Sequence, residues 1–157
     1  MEYLLLKWIH ILSAILMFGT GFGTAFYKWT TDQSGDVRSI AIVMERVVLA
    51  DWIFTTPTAF VQPITGFWMV SLAGWPLAQG WVAWAVGLYI LVGACWLPVV
   101  WQQVEMLKLA RQAVVNDQPL PERYWRLCRY WKMLGCIAFT AMIAISALMV
   151  FKPLTLF

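Results

Sequence analysis

The chain has 157 residues, of which 62% are hydrophobic, 16% aromatic and 12% charged, with a net charge of +3. A soluble domain carries about 25% charged residues, so these figures exclude a soluble globule, a disordered chain and a coiled coil. Three cysteines exclude a disulfide scaffold, and the single histidine, His10, excludes a zinc site built from several histidines of one chain.

The charged residues cluster, and the gaps between clusters have membrane dimensions. Twenty uncharged residues separate Lys7 from Lys28, 53 run from Trp52 to Val104, and 19 from Met133 to Phe151. A helix needs about 20 apolar residues to cross the hydrocarbon core. The outer gaps hold one span each, and the middle gap holds two, divided by the turn-rich stretch Ala73 to Gly80. The reading is all-α, a four-helix transmembrane bundle in a single integral membrane domain (1–157), with spans near 4–28, 49–72, 80–103 and 129–152. The first is read as a retained helix, because Met1 to Lys7 has no excess of positive charge and the apolar run exceeds a signal-peptide core.

Two further helical stretches lie between the spans. Ile40, Val43, Met44, Val47 and Val48 recur at three- and four-residue spacing, which predicts an amphipathic helix along the membrane surface that runs into the second span. Gln102 to Val115 reads as an extension of the third span, ended by Asn116-Asp117-Gln118-Pro119. Nine basic residues lie in the two longer loops and only Lys7 and Lys152 on the other side. The positive-inside rule then predicts both termini on the outer, periplasmic side of a bacterial inner (cytoplasmic) membrane. The basic edge faces anionic headgroups, so the lipid bilayer is the expected partner and no nucleic acid is required.

Cys95, Cys128 and Cys136 read as small packing residues. Most tryptophans, among them Trp8, Trp29, Trp52, Trp75, Trp81, Trp101 and Trp131, fall near span ends as an interfacial belt. Trp68, Trp84 and Trp96 lie deeper, where they either line a pocket or face lipid. Pro57 and Pro63 predict a bent second span with freed carbonyls. The nearby threonines and Gln62 either partner those carbonyls or form a polar track for a proton, quinone or substrate.

His10 lies two turns into the first span, at a depth where a polar ring needs protein, water or a metal beside it. Two readings stay open: an interhelical or headgroup hydrogen bond, and ligation of a cofactor by neutral imidazole. His10, Ser13, Ala14, Met17, Gly21, Thr24 and Lys28 share one helix face, and Gly19 and Gly23 form a GxxxG pattern. That small surface either packs closely on a helix or gives room to a flat macrocycle. Met17 stands roughly 10.5 Å along the axis from His10, so the two cannot grip opposite faces of one iron. A second axial ligand comes from Met69, Met142 or Met149, less readily from Tyr89, or from a second chain.

These residues carry a resemblance. Lys7-Trp8-Ile9-His10 resembles the K-x-x-H opening of the haem-binding, membrane-embedded HemJ protoporphyrinogen oxidases. Met44-Glu45-Arg46, Thr56-Pro57 and Gly66-Phe67-Trp68 are similar to that family's M-E-R, T-P-A and G-L-W stretch, and Arg129-Tyr130-Trp131 through Lys152-Pro153 to its closing segment. That family carries a lysine and a histidine in its third span, and Trp81 to Val100 contains neither. The chain also resembles a sister group of integral membrane proteins of this length, related to copper-resistance D-type domains. The resemblance implies a four-helix haem or metal module, with Lys7 and His10 as the positions carried over.

The expected function is therefore a haem b protein with His10 as axial ligand, Lys7 at a propionate, and Met17 and Gly21 against the macrocycle. It would pass electrons between a membrane quinone and a small molecule or haem-pathway substrate. The other reading is a non-enzymatic subunit of a membrane complex, or a protein moving copper or another small solute. A homodimer fits both.

Overall fold

The computed structural model describes residues 1–77 and 80–152; Ala78 and Gln79 of the expected turn, and Pro153 of the closing motif, lie outside them. Every regular element among the described residues is helical. Helix α1 (Glu2–Ser34) ends at Gly35, whose φ of 69° is the left-handed cap that favours glycine. Helix α2 (Val37–Ala50) starts at Asp36, whose carboxylate accepts from the Ser39 amide at 3.0 Å. A π-helical turn, Asp51–Thr55, joins α2 to α3 (Thr56–Ala73) without a break in the helix. Helices α4 (Gly80–Val115) and α5 (Glu122–Phe151) follow. With α2 and α3 taken as one bent helix, the chain is four helices.

Three of them, α1, α4 and α5, are long and apolar enough to cross a membrane by length and composition. The expected second span is the exception. Its membrane portion, α3, has 18 residues and carries two prolines, with Thr58, Gln62 and Thr65 buried inside the protein. Those polar side chains lower its hydropathy because they face protein rather than lipid.

Two expected boundaries shift. Helix α1 runs on to Ser34, six residues past its expected end at 28, because nothing breaks the helix before Gly35. Helix α5 starts at Glu122 rather than near 129, directly after Pro121, which adds about two polar turns. Helix α2 runs into α3 as expected, and its apolar stripe meets protein. Its apolar face, Ile40, Ala41, Met44 and Val47, is buried, the first three in one core with Met106, Leu107 and Ala110 of α4 and Tyr124, Cys128 and Trp131 of α5.

The packing is uneven along the bundle axis. At the end holding the basic loops, here the basic end, α2, α4 and α5 close around that core. Glu45 to Arg111 (3.2 Å) and Glu105 to Arg123 (2.8 Å) tie the same elements at the surface. Toward the opposite, terminal end, α1 packs on α3 and α4 packs on α5 around Ala85, Val92, Ala141 and Ile145. The two pairs stand apart there, and a cavity of about 780 Å³ opens between them.

The prolines account for the change of helix geometry ahead of α3. Pro57 lacks an amide hydrogen and its ring crowds the preceding turn, and the helix relieves this by widening to the π geometry just before it. Pro63 removes the hydrogen bond that would end on the Ala59 carbonyl. The Tyr89 hydroxyl of α4 donates to that carbonyl instead, at 2.5 Å. Thr58 donates to the Phe54 and Thr55 carbonyls and Gln62 to α1, so neither takes the expected role at the carbonyls that Pro57 and Pro63 leave free.

Candidate functional site

His10 is buried in the wall between α1 and α3, and its hydrogen bonds decide which nitrogen is free. The Thr65 hydroxyl donates its one hydrogen to the Val61 carbonyl at 2.7 Å, with the Gln62 carbonyl at 3.2 Å. Thr65 Oγ1 lies 2.8 Å from His10 Nδ1; with its hydrogen on Val61 it accepts there, which assigns the ring hydrogen to Nδ1. In the neutral ring Nε2 then holds a lone pair. Among the described residues it has no hydrogen-bond partner, and His10 lines the cavity.

The backbone beneath the ring is fixed as well. Gln62 Nε2 donates to the His10 carbonyl (2.8 Å) and to Ser13 Oγ (2.7 Å), and Ser13 donates to the same carbonyl at 3.0 Å. Gly66 permits the close approach of α3: a Cβ there would stand 3.4 Å from His10 Cε1. A side chain with γ carbons would press on the imidazole. This polar lock holds a histidine in one tautomer and one orientation, the condition metal-binding histidines generally meet through their second nitrogen.

The cavity gathers most of the residues singled out in the sequence. Lys7, Met17, Met69, Met142, Met149 and Tyr89 all line it with His10. Met17 and Met69 belong to the same α1/α3 wall as His10, while Met142 and Met149 belong to the facing α4/α5 wall. Gly21 does not line it. Beyond the adjacent turns of α1, nothing would come within 4 Å of a Cβ at Gly19, Gly21 or Gly23, so no helix among the described residues packs closely on the GxxxG surface. Tyr89 commits its hydroxyl hydrogen to Ala59. Among the described residues no group of three or more His, Cys, Asp or Glu side chains could hold a metal ion, so a metal here would have to be bound through imidazole, thioether or the faces of a macrocycle.

The tryptophans divide. Trp68 and Trp84 are half exposed and outside the cavity, facing outward from the bundle. Trp75 and Trp81 pack edge to face, with centroids 5.0 Å apart, and line the cavity at the terminal end. Trp131, expected in the interfacial belt, is instead buried.

It belongs to a second cluster that sequence reasoning missed. Lys28 is 1% exposed and pairs with Asp32 at 2.6 Å. Tyr124 donates to Asp32 Oδ1 at 2.8 Å, and Cys128 Sγ lies 3.2 Å from Oδ2. The Lys28 ammonium also lies 5.3 Å from the Tyr124 ring centre and 5.0 Å from that of Trp131. Position on the His10 face of α1 was the available signal for Lys28. Asp32, at i+4, was within reach of spacing, but Tyr124, Cys128 and Trp131 sit about a hundred residues away, beyond it.

The fold defines an integral membrane protein of antiparallel helices, with one histidine poised at an apolar cavity. Residues 4–153 match the family of predicted integral membrane proteins called DUF2269, and the chain belongs to that family. No curated protein and no solved structure matches it.

Proposed function

We propose that the protein is a haem b protein of the bacterial cytoplasmic membrane, with His10 as an axial ligand through Nε2. One observation carries the reading: His10, with Nδ1 2.8 Å from Thr65 Oγ1, lines a cavity of about 780 Å³, so that an Nε2 lone pair would be available there. That volume lies within the range of small-molecule and cofactor sites, about 300–1,000 Å³. Met142 and Met149, on the wall facing His10, would supply the second ligand. Haem supplies one-electron chemistry when bound. The chain's own contribution is the fixed imidazole, the apolar walls, and Lys7 close to where an acidic edge would emerge. By the positive-inside rule the basic end would lie in the cytoplasm and the cavity toward the outer half of the membrane. Ile11, Ile15 and Phe67 line the cavity and are exposed, which would suit lateral access by a membrane quinone.

An absorbance spectrum of detergent-purified protein tests this. The expected result is a Soret band, present as isolated or after haem reconstitution, that is lost in His10→Ala. A wild type with no Soret band after reconstitution would sink the reading, and a His10→Ala protein with a full haem load would remove the ligand assignment.

A second reading rests on the methionines. Four thioethers and one imidazole converge on one cavity, a soft donor set suited to Cu(I). Metal analysis separates the two readings. Stoichiometric copper without a Soret band supports a copper protein, and copper-free protein with a Soret band rejects it.

A further inference from the structure

We propose that Lys7 and Lys152 form an anion clamp at the mouth of the cavity, and that its occupant is an amphiphile with acidic groups on an apolar body. The inference deepens the reading of the same cavity given above, but it does not depend on iron.

The lining is apolar apart from a few neutral polar groups, and its charged residues are Lys7 and Lys152, with no carboxylate among them. They stand on opposite walls: Lys7 on α1 and Lys152 at the end of α5. Neither is ion-paired among the described residues, a state they share with several surface arginines but, unlike those, at the cavity. A neutral ligand would need neither cation, and a cationic one would be repelled.

Lys152 is also held in place. It caps α5 in a left-handed conformation (φ 40°, ψ 57°), with its amide on the Leu148 carbonyl at 2.9 Å. Its ammonium lies 4.7 Å from the Trp75 ring centre and 6.0 Å from that of Trp81. A lysine that served only to reach lipid headgroups would extend away from the bundle. This one folds over the two tryptophans that line the cavity, so an acidic group arriving at the mouth meets a cation already oriented by aromatic faces.

Two sources share this chemistry, a tetrapyrrole dicarboxylate and an anionic phospholipid, and the experiment separates them. Purified protein in neutral detergent is titrated with metal-free protoporphyrin IX and with its dimethyl ester, followed by porphyrin fluorescence. In parallel, native mass spectrometry counts the phosphatidylglycerol or phosphatidylcholine retained. The clamp requires that at least one acidic probe bind better than its neutral counterpart. It also requires Lys7→Gln and Lys152→Gln each to weaken that probe about tenfold, the loss of one charge-assisted contact, and Lys7→Arg and Lys152→Arg to retain it. Preference for the porphyrin acid identifies a tetrapyrrole, and preference for phosphatidylglycerol identifies a lipid. Acidic and neutral probes binding alike, or unchanged affinity in either glutamine variant, would overturn the clamp. Because these probes contain no iron, a missing His10-dependent Soret band with intact acid selectivity removes the haem reading alone. The reverse pattern removes the clamp alone.

Discussion

Lys28 and His10 occupy one face of α1, and burial is made tolerable by different means at each. Lys28 has a carboxylate, a hydroxyl, a thiol and two aromatic faces around it. Removing one member of a buried ion pair leaves an uncompensated charge, which typically destabilises by about 3–5 kcal/mol. Lys28→Met is therefore expected to lower stability by that order, and Lys28→Met combined with Asp32→Leu to recover most of the loss. Denaturant titration in micelles followed by tryptophan fluorescence checks both, and a Lys28→Met protein as stable as wild type would count against the network. His10 is held by Thr65, and the consequence concerns ligation rather than folding. Thr65→Val removes the acceptor for Nδ1–H and frees the ring to exchange tautomers and turn. Loss of such an outer partner usually costs about 10–100-fold in metal affinity. Haem titration of Thr65→Val should show a loss of that size, with Thr65→Ser close to wild type; equal affinities for all three would refute the orienting role.

At the scale of the helices, the proline inside α3 is accommodated by an exchange of hydrogen bonds with α4. Pro63 leaves the Ala59 carbonyl free, and Tyr89 supplies the missing donor from α4. Tyr89→Phe leaves that carbonyl unpaired, at a cost of about 1–3 kcal/mol. In a Pro63→Ala background the backbone amide returns, so the same Tyr89→Phe change should cost far less. A double-mutant cycle measures the difference, and strictly additive effects would show that the two residues are not coupled. At the start of α2, hydrogen bonds from Ser39 hold the Asp36 carboxyl below its ordinary range. A depressed carboxyl pKa contributes stability above the unfolded value and loses it as pH falls through the folded one. Fraying at Ser39, read by amide hydrogen exchange, should therefore rise on acidification in wild type. In Asp36→Asn, which caps without titrating, it should stay level; a parallel rise in both would contradict the assignment. Much of this was legible in the sequence, because long charge-free gaps and the Asn116–Pro119 stop are local signals. The π turn, the Tyr89 contact and the burial of α2 were not, because each depends on which helix lies alongside. Periodicity shows that α2 has an apolar face, but the same stripe suits a lipid surface or a protein neighbour.

Across the whole molecule, close packing at the basic end is set against an opening at the terminal end. The candidate site was readable as a list, since His10, Lys7 and the methionines were picked out by type and depth. Their convergence was not, because it follows from the separation of the two helix pairs. Lys152 and Gly66 were given no role at the site for the same reason: what each lies against depends on the opposite wall. The open cavity carries a thermodynamic consequence. Its walls expose apolar surface that a ligand would cover, and a ligand that binds only the folded state stabilises it by RT ln(1 + [L]/Kd), about 2.7 kcal/mol at a hundredfold excess over Kd. The haem-loaded protein should therefore unfold at a higher temperature than the ligand-free one, and the increment should grow with the logarithm of ligand concentration. Ser146 of α5 lines the cavity and is itself exposed, so Ser146→Trp can fill part of the space without breaking a buried contact. Ser146→Trp should keep the ligand-free melting temperature and lose most of the increment, and His10→Ala should reduce it as far as ligation contributes. Thermal unfolding of the three proteins across a haem titration decides the matter. A wild-type melting temperature indifferent to saturating haem would mean that the cavity does not bind it.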